Sequence, residues 1–371
     1  MPTPGVPTKM WIALLGRRDA PVDGVEDYCT FLGRALRAKG IELKPARVPW
    51  MEYGWIGALR WLAQVSTVWR GKWVIIQYTA LSWSRRGFPF LALAVLALLR
   101  RKGARVAVVF HEPQRQGGGR WIDRIRGLCQ DWVIRAMYRG ATKAIFADPL
   151  EKVLWLPKND IKAASIPIGS NVPEPATRVE LSCARDDEAK TVAVFCLTEP
   201  PKQQLELADI SHAVRLALAT GSKLRVVFLG RGTEEARGEI ARVFSDVPVE
   251  VEMLGILGDD AVSEILARSD AMLCVRGEIT ARRGSVIAGI ACGVPIVGYA
   301  GAAEGTPLAE AGIEFVPYRD REALGRALSH ILTDPDLQRR LRDRSIHAQQ
   351  KFFSWSVIAS SYSGFLGCEE N

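Results

Sequence analysis

Two adjacent arginines, Arg282 and Arg283, stand directly before Gly284 and Ser285 in "ARRGSVIAGIACGVPIVGY" (281–299). The small apolar run from Ser285 to Cys292 has the composition of a short buried helix. Gly293 and Pro295 end it as helix stops do. A helix starting there offers free N–H donors and about half a positive charge at its N-terminus. With two guanidinium forks beside it, the chemistry on offer is the binding of an anion, and a diphosphate is a good match. Glu278, just upstream, is the neighbouring carboxylate. The bland alternative is a solvated arginine loop.

A second candidate is His111, which ends the strand-like run "ARVAVVF" (104–110). An imidazole at the carboxyl edge of a strand can hydrogen-bond a hydroxyl or pass a proton near neutral pH. Glu112 beside it can orient acceptor hydroxyls. Gly230 and Arg231 in "LGRGTEE" (229–235) end another strand, but G-x-G alone is a weak signal and turn chemistry explains it equally well. Lys202 in "FCLTEPPKQQ" (195–204) reads either as a phosphate contact or as an exposed lysine. No metal or cofactor is expected. The D-x-D string Asp334–Asp336 carries a proline between its acids and reads as a helix cap. No histidine or cysteine pairs have zinc spacing.

The elements that must hold these groups alternate strand with helix. "MWIALLG" (10–16), "WVIIQYT" (73–79), "ARVAVVF", "ATKAIFAD" (141–148) and "KAASIPIG" (162–169) read as strands of a first sheet. A helix over 25–39, stopped by Gly40, and another over 88–102 lie between them. "NVPEPATRVELSCARDDEAK" (171–190) reads as a linker. A second series follows, with strands at 191–197, 224–230, 249–254, 270–275 and 294–299, and after Asp334 the chain is helical almost to its end. Two Rossmann-like domains in tandem are predicted, an α/β fold with parallel sheets facing a central cleft. Their spans are 1–170, an acceptor domain, and 191–350, a donor domain. A helical segment at 351–371 is expected to cross back to the first domain.

The bulk numbers agree with that class. Hydrophobic residues make up 48% and charged residues 24% of 371, enough for two ordinary cores. Seven cysteines without a C-x-x-C pair point to reduced thiols and a cytoplasmic setting. The N-terminus has no signal-peptide pattern, and the longest apolar run, "FPFLALAVLALL" (88–99), is too short to span a bilayer. Charge is uneven: residues 1–170 hold 27 Lys and Arg against 12 Asp and Glu, whereas residues 171–371 hold 22 against 29. Ten of the eleven tryptophans also precede residue 170. A basic, Trp-rich half implies an anionic partner, such as the inner face of the cell membrane or an acidic acceptor. Nucleic acid is not expected, because no recognised module is present. In "PWMEYGWIGALRWLAQVSTVWRGKW" (49–73), Trp55, Leu59, Leu62 and Trp69 recur at helical spacing. They read as an interfacial helix or as the buried stripe of an ordinary one.

Several stretches, in order, resemble the retaining GT-B glycosyltransferases, family 4 in particular. They are "DGVEDYCTFLGRALRAKGIEL" (23–43), "VVFHEP" (108–113), "VEMLGILGDDAVSEILARSDAMLCV" (251–275), "GIACGVPIVGY" (289–299) and "GIEFVPYRDREALGRALSHILTDPDLQRRL" (312–341). The resemblance implies hexosyl transfer from a nucleotide sugar to a glycan or lipid-linked acceptor, with retention of configuration. It places His111 near the reacting sugar and the loop at Gly24 against the diphosphate, where a small residue lets backbone approach. Two departures stand out. The paired glutamates usual in the family fall by spacing on Thr280 and Ala288, with Glu278 two residues early. Of the usual Arg and Lys after the first strand of the second domain, Lys202 is present, while Cys196 or Thr198 stands near the arginine's place. The rival reading is a glycosyltransferase-like binding protein that lost catalysis with those glutamates.

Overall fold

A computed structural model describes residues 9–19, 23–113, 120–175, 189–301 and 306–367. The proline-rich start of the chain, positions 176–188 of the expected linker, Cys183 and Cys368 lie outside the described residues. The chain divides into two compact units, residues 1–168 with 355–371 and residues 169–354.

Unit 1 runs β1 (Lys9–Leu15), α1 (Gly24–Arg37), β2 (Ile41–Arg47), α2 (Gly54–Val65), β3 (Trp73–Tyr78), α3 (Leu91–Arg101), β4 (Arg105–Phe110), α4 (Trp121–Gly140), β5 (Lys143–Phe146) and β6 (Ala163–Ser165). Its parallel sheet has the order β2-β1-β3-β4-β5-β6. Alternation along β3 shows how both faces are covered. Val74, Ile76 and Tyr78 join a core with α2, α3 and α4, while Trp73 and Ile75 join a second core with α1 and α11 (Trp355–Gly367). The C-terminal helix is pinned there by a Tyr28–Tyr362 hydroxyl pair at 2.7 Å and by Trp73 Nε1 donating to the Leu366 carbonyl at 2.9 Å.

Unit 2 runs β7 (Lys190–Phe195), α5 (Lys202–Leu218), β8 (Leu224–Leu229), α6 (Thr233–Val243), β9 (Glu250–Gly255), α7 (Asp259–Arg268), β10 (Ala271–Cys274), α8 (Gly284–Cys292), β11 (Ile296–Tyr299), β12 (Ile313–Val316), α9 (Arg321–Thr333) and α10 (Pro335–Ala348). Its sheet has the order β12-β11-β10-β7-β8-β9, again parallel. Helix α8 is apolar all round and buried from Val286 to Cys292, as such helices are. Gly293 ends it in the left-handed conformation at φ 72°. Asp334 closes α9 and caps α10, accepting from the N–H groups of Asp336 and Leu337 at 2.9 Å each.

Two strands escape the sequence reading. β2 carries Pro45 and polar residues because it is an edge strand, where a missing N–H is tolerated. β12 is the edge of the other sheet and only four residues long. Within the 49–73 segment the α-helix runs from Gly54 to Val65 and continues as a 3-10 turn over Ser66–Trp69, and its stripe faces inward. Leu62 and Trp69 are buried, and Trp55 stacks on Trp50 at 5.1 Å. The core reading of that stripe holds.

Candidate functional site

In open parallel sheets, ligands bind beyond the carboxyl ends of the strands, where the strand order reverses. In unit 2 that point lies between β7 and β10. A pocket of about 140 Å3 opens there, lined among others by Thr198, Lys202, Glu206, Arg276, Tyr299 and Arg319. It is smaller than the roughly 300–1,000 Å3 of a whole small-molecule site, so it suits one charged part of a ligand. Glu206 does not cancel its positive charge freely. That buried carboxylate is engaged by Thr198, whose N–H and hydroxyl donate to it at 2.9 and 2.6 Å.

Positive groups dominate the remainder. Arg276 stands two residues past the end of β10, and its Nε is buried with no hydrogen bond among the described residues. Lys202 is the exposed first residue of α5. Two thiols report the local field. Burial pushes the Cys274 thiol up, and the charges of Arg283 and Arg276 pull the other way. Burial likewise raises Cys196, opposed by Arg276 and Arg231. Of these arginines, Arg276 lines the pocket, while Arg231 stands on the loop after β8, its carbonyl accepting from the Leu197 N–H at 2.9 Å, and Arg283 on the loop before α8.

The RRGS run takes the position its sequence implies. Arg283 is the extended N-cap of α8, Gly284 its exposed first residue and Ser285 its second, and among the described residues no side chain caps this end. Arg283 Nη2 donates to the Glu278 carbonyl at 3.1 Å, which fixes the loop. Arg282 is half-buried beside it. Glu278 itself is exposed and is not among the pocket-lining residues. Ala288 lies in the buried body of α8, where a carboxylate would be desolvated. Gly230 has φ 85°, and a Cβ there would come within 2.8 Å of the Phe195 ring and 2.7 Å of Cys196 Sγ. Its backbone conformation and crowding account for this glycine.

Sequence reasoning missed Arg276, Asp209, Tyr299 and Arg319. The only local signal for Arg276 was its place just past a strand. Tyr299, at the end of β11, donates to the buried Asp209 carboxylate at 2.6 Å, and Arg321 also binds that carboxylate. Burial, reinforced by the Asp209 bond, holds the Tyr299 phenol protonated far above its usual range. Tyr318 packs edge-on against Tyr299 at 5.5 Å and lies under the Arg319 guanidinium. Arg319 adopts φ 63°, a conformation that non-glycine residues visit rarely. This network positions the rim of the pocket.

Unit 1 holds the other predicted residues. His111 follows β4, its N–H donating to the Tyr78 carbonyl at 3.1 Å. Its Nε2 lies 2.7 Å from Gln77 Oε1, and the Tyr28 ring meets it edge-on at 5.4 Å. Glu112 is half-buried near Tyr78. Burial first, and the Glu112 charge second, raise the Tyr78 phenol well above its ordinary value. Gly24 opens α1, but the end of that helix is already occupied. Asp23 accepts from the N–H groups of Val25 and Glu26 at 3.1 and 3.2 Å, and Arg47 pairs with Asp23 and Glu26 at 3.3 and 3.0 Å.

No family model and no curated protein matches the chain. Solved structures do match along nearly its full length. Anabaena Alr3699/HepE in complex with UDP and glucose superposes with a TM-score of 0.66 at 14% identity, covering 97% of this chain and 100% of that one. A glycosyltransferase from Rickettsia africae gives 0.67 at 13%, covering 98% and 99%. The S. aureus MnaA–UDP complex gives 0.63 at 11%, covering 98% of each chain. The likeness is one of fold: the chain has the GT-B fold, an α/β architecture of two parallel six-stranded sheets.

Proposed function

We propose that the chain is a glycosyltransferase that moves a hexosyl group from a nucleotide-sugar donor to a glycan or lipid-linked acceptor, with retention of configuration. The switch-point pocket of unit 2, lined by Lys202, Arg276 and Arg319 with the Arg276 Nε buried and without a partner among the described residues, is the observation that carries this reading. Departure of a nucleoside diphosphate develops negative charge on the leaving group. Preorganised cations and an uncapped helix end are the groups that stabilise it. Similar folds have been captured with UDP, which makes a nucleoside diphosphate the first ligand to test. In this reading unit 2 receives the donor and unit 1 the acceptor, with His111 and Glu112 meeting sugar hydroxyls.

A second reading is a donor-binding protein without turnover. It is favoured by one observation, the absence of any carboxylate in the Gly284–Cys292 helix. One experiment separates the two. UDP, GDP and ADP are titrated by calorimetry, and the corresponding sugar nucleotides are followed for hydrolysis and transfer. Submillimolar binding of one diphosphate with turnover of its sugar supports transfer. Binding without turnover selects the second reading, and failure of all three nucleotides to bind overturns both.

A further inference from the structure

The tryptophans of α2 are half-buried against the core, yet unit 1 presents aromatic surface elsewhere. Along α4, Trp121, Ile125, Leu128 and Trp132 are 72%, 43%, 62% and 56% exposed. Their spacing of four, three and four residues puts them on one helical face, roughly 16 Å long at 1.5 Å per residue. Arg124, Arg135 and Arg139 are exposed on the same side, and none is in an ion pair among the described residues. Of the acids of the helix, Asp123 is half-buried and pairs with Arg126, and Asp131, also half-buried, borders the face one turn from Leu128 and Arg135.

The patch continues onto its neighbours. Phe90, at the start of α3, packs on Trp132 at 6.0 Å. The 86–88 loop is fastened to α4 by Arg126 donating to the Arg86 carbonyl at 2.9 Å and Gln130 to the Gly87 carbonyl at 3.0 Å. Arg85 and Arg86 are exposed on that loop. At the start of α2, Tyr53 and Ile56 are exposed as well. In a parallel α/β unit each crossover helix starts at the carboxyl edge of the sheet, so these aromatic ends all point to one rim.

We propose that the outer face of α4, with the first residues of α3, docks on the headgroup region of an anionic lipid bilayer. Indole rings at both ends of an aliphatic stripe, flanked by unpaired guanidinium groups and few acids, match an interface that is apolar below and negatively charged above. Charge argues against a second copy of the chain. A two-fold pairing of this face would gather Arg124, Arg135 and Arg139 of both copies into one contact, like charges with few acids between them. The proposal does not depend on the donor reading, since lipid binding is measured without a nucleotide.

The test is flotation of the full chain with phosphatidylcholine vesicles, with and without phosphatidylglycerol. Binding is expected only to the anionic vesicles, weakening as salt is raised. Two variant sets are compared, Trp121→Ser with Leu128→Ser, and Arg124→Gln with Arg135→Gln and Arg139→Gln. Each should lower vesicle binding at least tenfold while thermal melting stays at the wild-type value. Having two sets keeps the test informative if one of them misfolds. Wild-type protein that ignores anionic vesicles, or variants that float like wild type, overturn the proposal. A dimer in lipid-free solution that Trp121→Ser dissolves would overturn it in favour of self-association.

Discussion

The two units solve the same topological problem differently at their switch points. Unit 2 has the strand sequence 3-2-1-4-5-6 when its strands are numbered from β7, whereas unit 1 begins 2-1-3-4. In unit 1 the reversal, between β1 and β3, is closed by the protein itself. Arg17 N–H donates to the Ser82 carbonyl at 2.7 Å, and Arg47 ties the Gly16 carbonyl to Asp23 and Glu26. In unit 2 the reversal holds a pocket lined by Arg276 and Arg319, and among the described residues no side chain caps the start of α8. A charged end satisfied by its own carboxylates serves the fold. A pocket-lining arginine such as Arg276, whose Nε has no partner among the described residues, is available to a ligand.

That contrast can be broken at four places, taken in order of decreasing effect. Gly16→Ala puts a Cβ 2.3 Å from the Ser82 carbonyl oxygen, a backbone clash that should cost at least about 3 kcal/mol. Chemical denaturation reads it, and a stability equal to wild type would mean that the closed end is not closed. Arg276→Ala should leave the melting temperature in place and weaken nucleoside diphosphate binding about 10- to 100-fold, roughly 1.4–2.8 kcal/mol for a lost charge-assisted contact. Calorimetry checks this, and Arg276→Lys should restore part of it. A drop in stability with affinity intact would assign Arg276 to the fold.

Asp23→Ala removes an N-cap and one partner of Arg47, and about 1–2 kcal/mol of unit 1 stability should go with it. Asp23→Asn keeps the cap and should lose less. Diphosphate affinity should not change in either variant, and a tighter or weaker Kd would give α1 the ligand role that its cap argues against. Gly284→Ala is the smallest effect. Apart from its chain neighbours and its own helix, no described residue comes within 4 Å of the added Cβ, so stability should stay within about 0.5 kcal/mol of wild type. The methyl group occupies the space over the helix end, and the diphosphate Kd should rise by roughly two- to fivefold if the anion rests there. An unchanged Kd would move the anion from the α8 end toward Arg276.

Much of this was legible locally. His111 at a strand end, the α8 stop at Gly293 and the Asp334 cap follow from residue type and neighbours, because capping and turn chemistry act over a few residues. Edge strands were harder, since β2 hides its period behind Lys44 and Pro45. The pocket rim was not legible. Asp209 and Tyr299 meet across 90 positions, and nothing in either neighbourhood announces the bond. The α4 sequence "WIDRIRGLCQDWVIRAMYRG" is apolar on two sides. Val133, Ile134, Met137 and Tyr138 are as good a core face as Trp121, Ile125, Leu128 and Trp132, and only packing shows which set was left outside.

By itself, then, the sequence determined the alternation of strands and helices, the α/β class and the charged groups standing at strand ends, because periodicity and capping are set by near neighbours. Tertiary structure decided which of two apolar faces meets water and which arginines share a pocket. Those outcomes depend on the order in which parallel strands assemble, and crossover connections bring together residues that no local pattern relates.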